Sequence, residues 1–319
     1  MVKLVDRIEP GEFGSASHEK MNGEKKCDAA KGHAHPERKI SPETSLLLDT
    51  CGKDFHQYVY EDKESGLSLW YNVFLPEQHD ENTLCPMVVF LGDAATVGED
   101  VKKPLHNLGA LIFASKEEQQ KQPCVVLVPQ YPGVILDDHG EFLQTPYVEL
   151  TARLIKKAVS LYLVDPARVY GTGQSMGCMT TMILHAEYEN LFAACMFVDG
   201  QWDYAELENL AGRRFLYFAA EGDYKAHKAL EDLSVLWEKL GAHVSRVTLD
   251  AKEPVPEQER RLKDTFASGD SIICVTWKLG SVLPEGTPIG TMEHNDSFDH
   301  PYRLGAARNW LMQFSGNND

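Results

Sequence analysis

Val169-Tyr170-Gly171-Thr172-Gly173-Gln174-Ser175-Met176-Gly177-Cys178-Met179 is the stretch that decides the fold. Its first half, Arg168–Thr172, reads as a strand, and the run Met176–Glu187 reads as a helix. Between them stands Gly-x-Ser-x-Gly. A strand-to-helix turn of that kind is so tight that the positions two before and two after the serine must be small. Gly173 and Gly177 meet that demand. The turn is expected to strain the backbone of Ser175 and to lift its hydroxyl to the carboxyl edge of a parallel sheet, where open α/β sheets bind ligands.

Working outward, the same rhythm recurs. Phe55–Tyr60 and Leu67–Phe74 alternate as antiparallel edge strands do. Pro86–Leu91 and Cys124–Pro129 are short continuous apolar runs, the signature of strands buried on both faces. Thr145–Leu163 has helical spacing. After the serine, Ala193–Val198, Phe215–Ala219, Val244–Leu249 and Ile272–Trp277 read as strands, and Tyr224–Leu240 and Pro301–Phe314 as helices. The charged segment Ala251–Ser268 reads as an insertion or a peripheral helix. Alternating strands and helices predict one α/β domain with a mostly parallel sheet covered on both faces, over residues 45–319. Residues 1–44 are polar and aperiodic and read as a tail.

Composition narrows the function classes. Lys and Arg total 31 and Asp and Glu total 48 in 319 residues, a formal net charge of −17. Polyanion binding needs clustered cations, so nucleic acid and anionic membrane surfaces are not expected partners. No run approaches the ~18 apolar residues of a membrane span. Seven cysteines, an odd number without a CxxC pair, argue against a disulfide framework or a zinc ribbon. Cys124 and Cys195 read as buried thiols. Cys27, His33 and His35 in the tail read as solvated rather than metal-binding. The amino end lacks the apolar core of a secretory leader, which leaves the compartment open between cytoplasm and secretion.

A serine hydroxyl needs a base, and the base needs an orienting acid; after an elbow of this type they follow in the order Ser, Asp or Glu, His. His294, in the loop Thr291–Phe298, is the preferred base, with His300 as competitor. Asp223, at the turn after Phe215–Ala219, is the preferred acid. Glu221 is second and Asp199 third. The Met176 N–H, at the helix start, is an expected oxyanion donor.

These segments resemble the esterase branch of the α/β-hydrolases that includes polyhydroxybutyrate-depolymerase-like, feruloyl and acetyl-xylan esterases. The resemblance covers roughly residues 55–315. It rests on Pro86–Asp100, on Asp165-Pro-Ala-Arg-Val-Tyr leading into the elbow, on Phe215–Asp223, and on His294…Phe298…Tyr302…Asn309-Trp310-Leu311. It implies Ser175 as nucleophile, Asp223 as acid and His294 as base, with no metal and no organic cofactor. One segment departs from the pattern. Where the family has His-Gly after the third strand, this chain has Gly92-Asp93. Backbone donors of Asp93 and Ala94 are the expected second half of the oxyanion site, although a carboxylate there opposes a developing negative charge unless it is paired. Cys178 stands where the family has glycine and reads as a packing residue.

Trp202, Gln174 and Phe298 are the expected substrate contacts, and Tyr131, Tyr147 and Tyr204 are further aromatics placed to stack on a phenolic acyl group. The leading expectation is a serine carboxylesterase acting on a small or aryl ester, feruloyl or acetyl among them. The alternatives are a serine peptidase on the same fold and a catalytically weak ligand-binding homologue, the latter motivated by Gly92 and Asp93. Nothing in the sequence speaks to oligomeric state.

Overall fold

The computed structural model describes residues 39–77 and 83–316. Among the described residues, eleven strands run in chain order as β1 His56–Glu61, β2 Ser68–Phe74, β3 Cys85–Leu91, β4 Val125–Gln130, β5 Leu136–Asp137, β6 Leu143–Gln144, β7 Val164–Gln174, β8 Ala194–Val198, β9 Phe215–Ala220, β10 Val244–Leu249 and β11 Ile272–Trp277. Nine form one sheet in the order β1-β2-β4-β3-β7-β8-β9-β11-β10, and β5 and β6 form a separate hairpin. Only β2 runs against its neighbours in the large sheet; the other pairings are parallel.

The apolar runs explain the layering. Along β3, Met87, Val89 and Leu91 enter one buried cluster while Val88 and Phe90 enter the other. A strand with period-two side chains serves two cores only if both faces are covered. The helices Tyr147–Leu161, Met176–Glu187 and Tyr224–Lys239 cover the first face; Val255–Phe266 and Gly305–Met312 cover the second. Each fully buried Leu, Ile or Phe contributes about 1.5–3 kcal/mol of transfer free energy, so both faces hold the sheet between its helix layers.

Three expectations change. The segment Ala251–Ser268 is not an insertion: its helix Val255–Phe266 is the crossover that carries the chain from β10 back to β11. The expected closing helix Pro301–Phe314 is two helices, Asp299–Arg303 and Gly305–Met312, broken at Leu304, whose ψ is 102°. The tail expected to reach 44 gives way earlier to the helix Pro42–Thr50. Ser41 accepts the Thr44 N–H at its start, and Thr44 is buried. Residues 1–38, with Cys27, His33 and His35, lie outside the described residues.

All six described cysteines are buried, and none of them forms a disulfide. Cys178 packs under the loop after β8, where a Cβ on Gly200 would come within 2.7 Å of its own Cβ. Burial pushes its thiol far above the ordinary range, which keeps it protonated and unreactive.

One buried ion pair anchors the closing helix. Two guanidinium nitrogens of Arg308 lie 3.0 Å from the two carboxylate oxygens of Glu118, and a third donates to the Tyr302 carbonyl. Tyr302 in turn reaches under the elbow strand, with its hydroxyl 3.0 Å from that of Thr172. Truncating Arg308 leaves Glu118 with Lys121 on Oε1, 2.9 Å away, but strips the partner from the buried Oε2 and from the Tyr302 carbonyl. Arg308→Ala is therefore expected to lower stability by about 3–5 kcal/mol, read from urea unfolding.

Candidate active site

The elbow is built by close approach. Ser175 follows β7 directly and stands at the cap of the helix Met176–Glu187 with φ 53° and ψ −121°, a region disfavoured for a residue with a side chain. A Cβ on Gly177 would come within 1.9 Å of the Leu91 carbonyl oxygen, and one on Gly173 within 2.6 Å of the Gly177 backbone. The two glycines let β3, β7 and the helix start touch. The Ser175 N–H is held by the Val198 carbonyl at 3.0 Å, while Met176, the first helical residue, has an N–H with no partner inside its own helix.

Three side chains from distant parts of the chain meet here. The Ser175 Oγ lies 2.9 Å from Nε2 of His294. Nδ1 of His294 lies 2.5 Å from Oδ2 of Asp223. Asp223 also caps the helix Tyr224–Lys239, its Oδ1 accepting the Ala226 N–H at 3.2 Å. One carboxylate thus anchors a helix and orients an imidazole. Phe298 sets its ring edge against the other side of His294, with centroids 4.9 Å apart and planes at 77°.

Electrostatics favour a charged imidazole. Burial pushes the His294 pKa down; the hydrogen bond to Asp223 and the charges of Asp223, Asp199 and Asp93 push it up, and the upward effects win over the ordinary 6.5. A serine attacking with this histidine as base therefore has its positive partner stabilised as it forms. The fully buried Asp199 is itself pushed well above the ordinary carboxylate range, first by burial and then by the nearby Asp223.

The loop after β3 resolves the concern about Asp93. Its carboxylate is paired on both oxygens: Oδ1 accepts the Ala95 N–H at 2.8 Å, and Oδ2 accepts from Gln174 Nε2 at 2.7 Å. The charge is turned into a buried network that also contains Asn107, rather than left open beside the serine.

The described structure superposes on solved hydrolases. A thermostable esterase matches with a TM-score of 0.64 and 26% identity, over 85% of this chain and 64% of that one. The feruloyl esterase module from Clostridium thermocellum, complexed with sinapinate, matches with a TM-score of 0.57 and 13% identity, over 91% of this chain and 98% of that one. The chain has the α/β-hydrolase fold. The acylaminoacyl peptidase from Pyrococcus horikoshii shares this fold with a TM-score of 0.51 and 13% identity, over 88% of this chain and 46% of that one. The chain spans less than two thirds of the thermostable esterase's length, 64%, and no family model or curated protein matches it.

Within this α/β-hydrolase fold the other candidates separate. The His300 ring lies tilted against Trp277, with 5.5 Å between centroids and planes at 55°. Glu221 accepts the Leu279 N–H at 2.6 Å instead of approaching His294. Asp199 accepts from the Ala220 N–H and the Ser297 hydroxyl. The expected substrate contacts change character. Trp202 has no exposed surface; its Nε1 donates to Glu206 and its ring packs on Phe142. Gln174 has none either; its Nε2 donates to Asp93 and Asn107, while its Oε1 is buried without a hydrogen-bond partner. Tyr131 and Phe298 are likewise buried, and the Tyr204 hydroxyl donates to Asp232. Trp202, Tyr131 and Phe298 present no open ring face here, whereas Tyr147 and Tyr204 are half-buried.

Two residues absent from the sequence reading bear on the site. Glu293 and Ser297 flank His294, and both are fully buried. Their signal in the sequence is only their nearness to His294, because their partners are 71 and 98 positions away. Among the described residues, one group with metal-ligand chemistry, Asp137, Asp138 and His139, gathers on the β5–β6 hairpin. Asp138 is already bonded to Gln201 at 2.5 Å and Lys225 at 3.0 Å.

Proposed function

We propose that the chain is a serine carboxylesterase that cleaves small or aryl esters through an acyl-enzyme. The observation that carries this reading is the continuous relay from the Ser175 hydroxyl through His294 to Asp223 at the elbow. The Ser175 Oγ attacks the ester carbonyl while His294 Nε2 takes its proton. The Met176 N–H and a backbone donor of the loop at Asp93 or Ala94 hold the oxyanion, each such donor contributing about 10²–10³ in rate. His294 then gives the proton to the leaving alcohol, and a water it activates releases the acyl group. The thermostable esterase, at 26% identity over most of this chain, supports ester rather than amide chemistry.

A panel of short p-nitrophenyl, acetyl and feruloyl esters against aminoacyl amides tests the assignment. Faster turnover of esters than of amides is expected; the reverse order makes the protein a peptidase. The pH profile follows from His294. The base must be neutral, and its pKa is raised, so kcat/KM is expected to fall as pH drops through a midpoint above 6.5. An acid limb at or below 6.5 contradicts the charge arrangement around the imidazole.

A further inference from the structure

The segment that delivers His294 lacks regular secondary structure. Residues 278–293 contain neither strand nor α-helix, and Ile289 and Met292 stand out in solvent. Such a loop has no ladder to fix its end, yet displacing a catalytic group by about 1 Å costs on the order of 10²-fold in rate. The position of His294 must be set by contacts beside it.

We propose that Glu293 and Ser297 are the positioning residues that lock His294 onto the turn carrying Asp223; this rests on the reading of His294 as the base. Glu293 works from the amino side. Its Oε1 accepts the Gly280 N–H at 2.5 Å and its Oε2 accepts the Gly222 N–H at 3.2 Å. Its own N–H points to the Gly222 carbonyl at 3.4 Å. Gly280 and Glu293 bracket the loop, so the first bond closes it at its base, and the second ties it to the residue before Asp223. Contact is close: a Cβ on Gly222 would come within 2.4 Å of the Glu293 Cδ and would push that carboxylate out of place.

Ser297 works from the carboxyl side. Its hydroxyl donates to Asp199 Oδ2 at 2.6 Å, and Asp199 Oδ1 accepts the Ala220 N–H at 2.9 Å. The Ala220 carbonyl accepts the Asp223 N–H at 2.9 Å. Both flanks of the imidazole are thereby fastened to the short turn Ala220–Asp223, by two independent carboxylates that touch neither the serine nor the imidazole. The acid and the base then move as one body, which preserves the 2.5 Å contact between them. Asp199 holds this place with φ 45°, a conformation that aspartate tolerates better than most residues.

The test uses Glu293→Gln and Ser297→Ala in the full chain, with three readouts: kcat against KM, thermal unfolding, and the downfield proton resonance of His294 Nδ1–H bonded to Asp223. Glutamine offers one acceptor where two N–H groups need one each; alanine cuts the tie to Asp199. Glu293→Gln is expected to lower kcat by about 10²-fold and Ser297→Ala by about 10-fold, KM staying within about twofold, with the resonance broadened or lost in protein that remains folded. The milder Ser297→Ala keeps the test open if Glu293→Gln does not fold. An unchanged resonance in the folded variants, or unchanged kcat, overturns the proposal. If the unmodified protein hydrolyses no ester, the functional reading fails, and the resonance comparison still decides the positioning claim.

Discussion

Ser175→Ala is expected to lower kcat/KM for a short p-nitrophenyl ester by about 10⁴–10⁶-fold while leaving unfolding unchanged. The size follows from chemistry. Without Oγ no acyl-enzyme forms, and what remains is binding plus whatever the oxyanion donors give to attack by water. Silence in stability follows from geometry. The hydroxyl bonds His294 at 2.9 Å, while the elbow is held by the Ser175 N–H on Val198 and by the glycine contacts, none of which involve Oγ. Alanine bears the same positive φ that serine bears. Steady-state kinetics on purified protein, with urea unfolding beside it, separates the two effects. Activity within tenfold of the unmodified protein would remove Ser175 from the mechanism.

Asp223→Asn is expected to cost about 10⁴-fold in kcat. The carboxylate spends its two oxygens on two different groups, His294 Nδ1 and the Ala226 N–H. An asparagine has one oxygen. If that oxygen keeps the helix cap, the amide NH₂ faces Nδ1, which must then accept, and Nε2 carries the proton toward the serine: the wrong tautomer for a base. If it turns to His294, the Ala226 N–H loses its cap and meets a donor. Asparagine is a good N-cap, so the first arrangement is favoured and stability changes little. Removing the charge that raises the His294 pKa also shifts the acid limb of kcat/KM to lower pH, since Asp199 and Asp93 alone remain to oppose burial. A small loss in kcat, or an acid limb that stays in place, would show that another group orients the histidine.

Why the elbow was legible and the substrate side was not comes down to range. Gly173, Ser175 and Gly177 state a local steric requirement that any reader of the chain can recognise, and the runs of β3 and β4 state burial on two faces. The acid was harder, because Asp199, Glu221 and Asp223 all follow strand ends within one sheet. Each finds a different partner: the Ser297 hydroxyl, the Leu279 N–H and the imidazole. Only three-dimensional contact separates them. Trp202 and Phe298, expected as substrate contacts and buried in the structure, show the same limit. An aromatic in a loop near a strand end reads the same whether it faces a ligand or, as here, packs on Phe142 or against the back of His294. The helix Pro42–Thr50 did announce itself, through Ser41 before Pro42 and Glu43, but its polar surroundings hid the signal. The β5–β6 hairpin, with two residues per strand, is too short to show any period.

The central claim, that Ser175 is a nucleophile activated by His294, is tested most directly by treating the protein with a fluorophosphonate and mapping the adduct by peptide mass spectrometry. The account predicts one stoichiometric adduct on Ser175, its formation rate falling as pH drops through a midpoint above 6.5 and lost in Ser175→Ala. No adduct on folded protein, or an adduct on another residue that persists in Ser175→Ala, would contradict it.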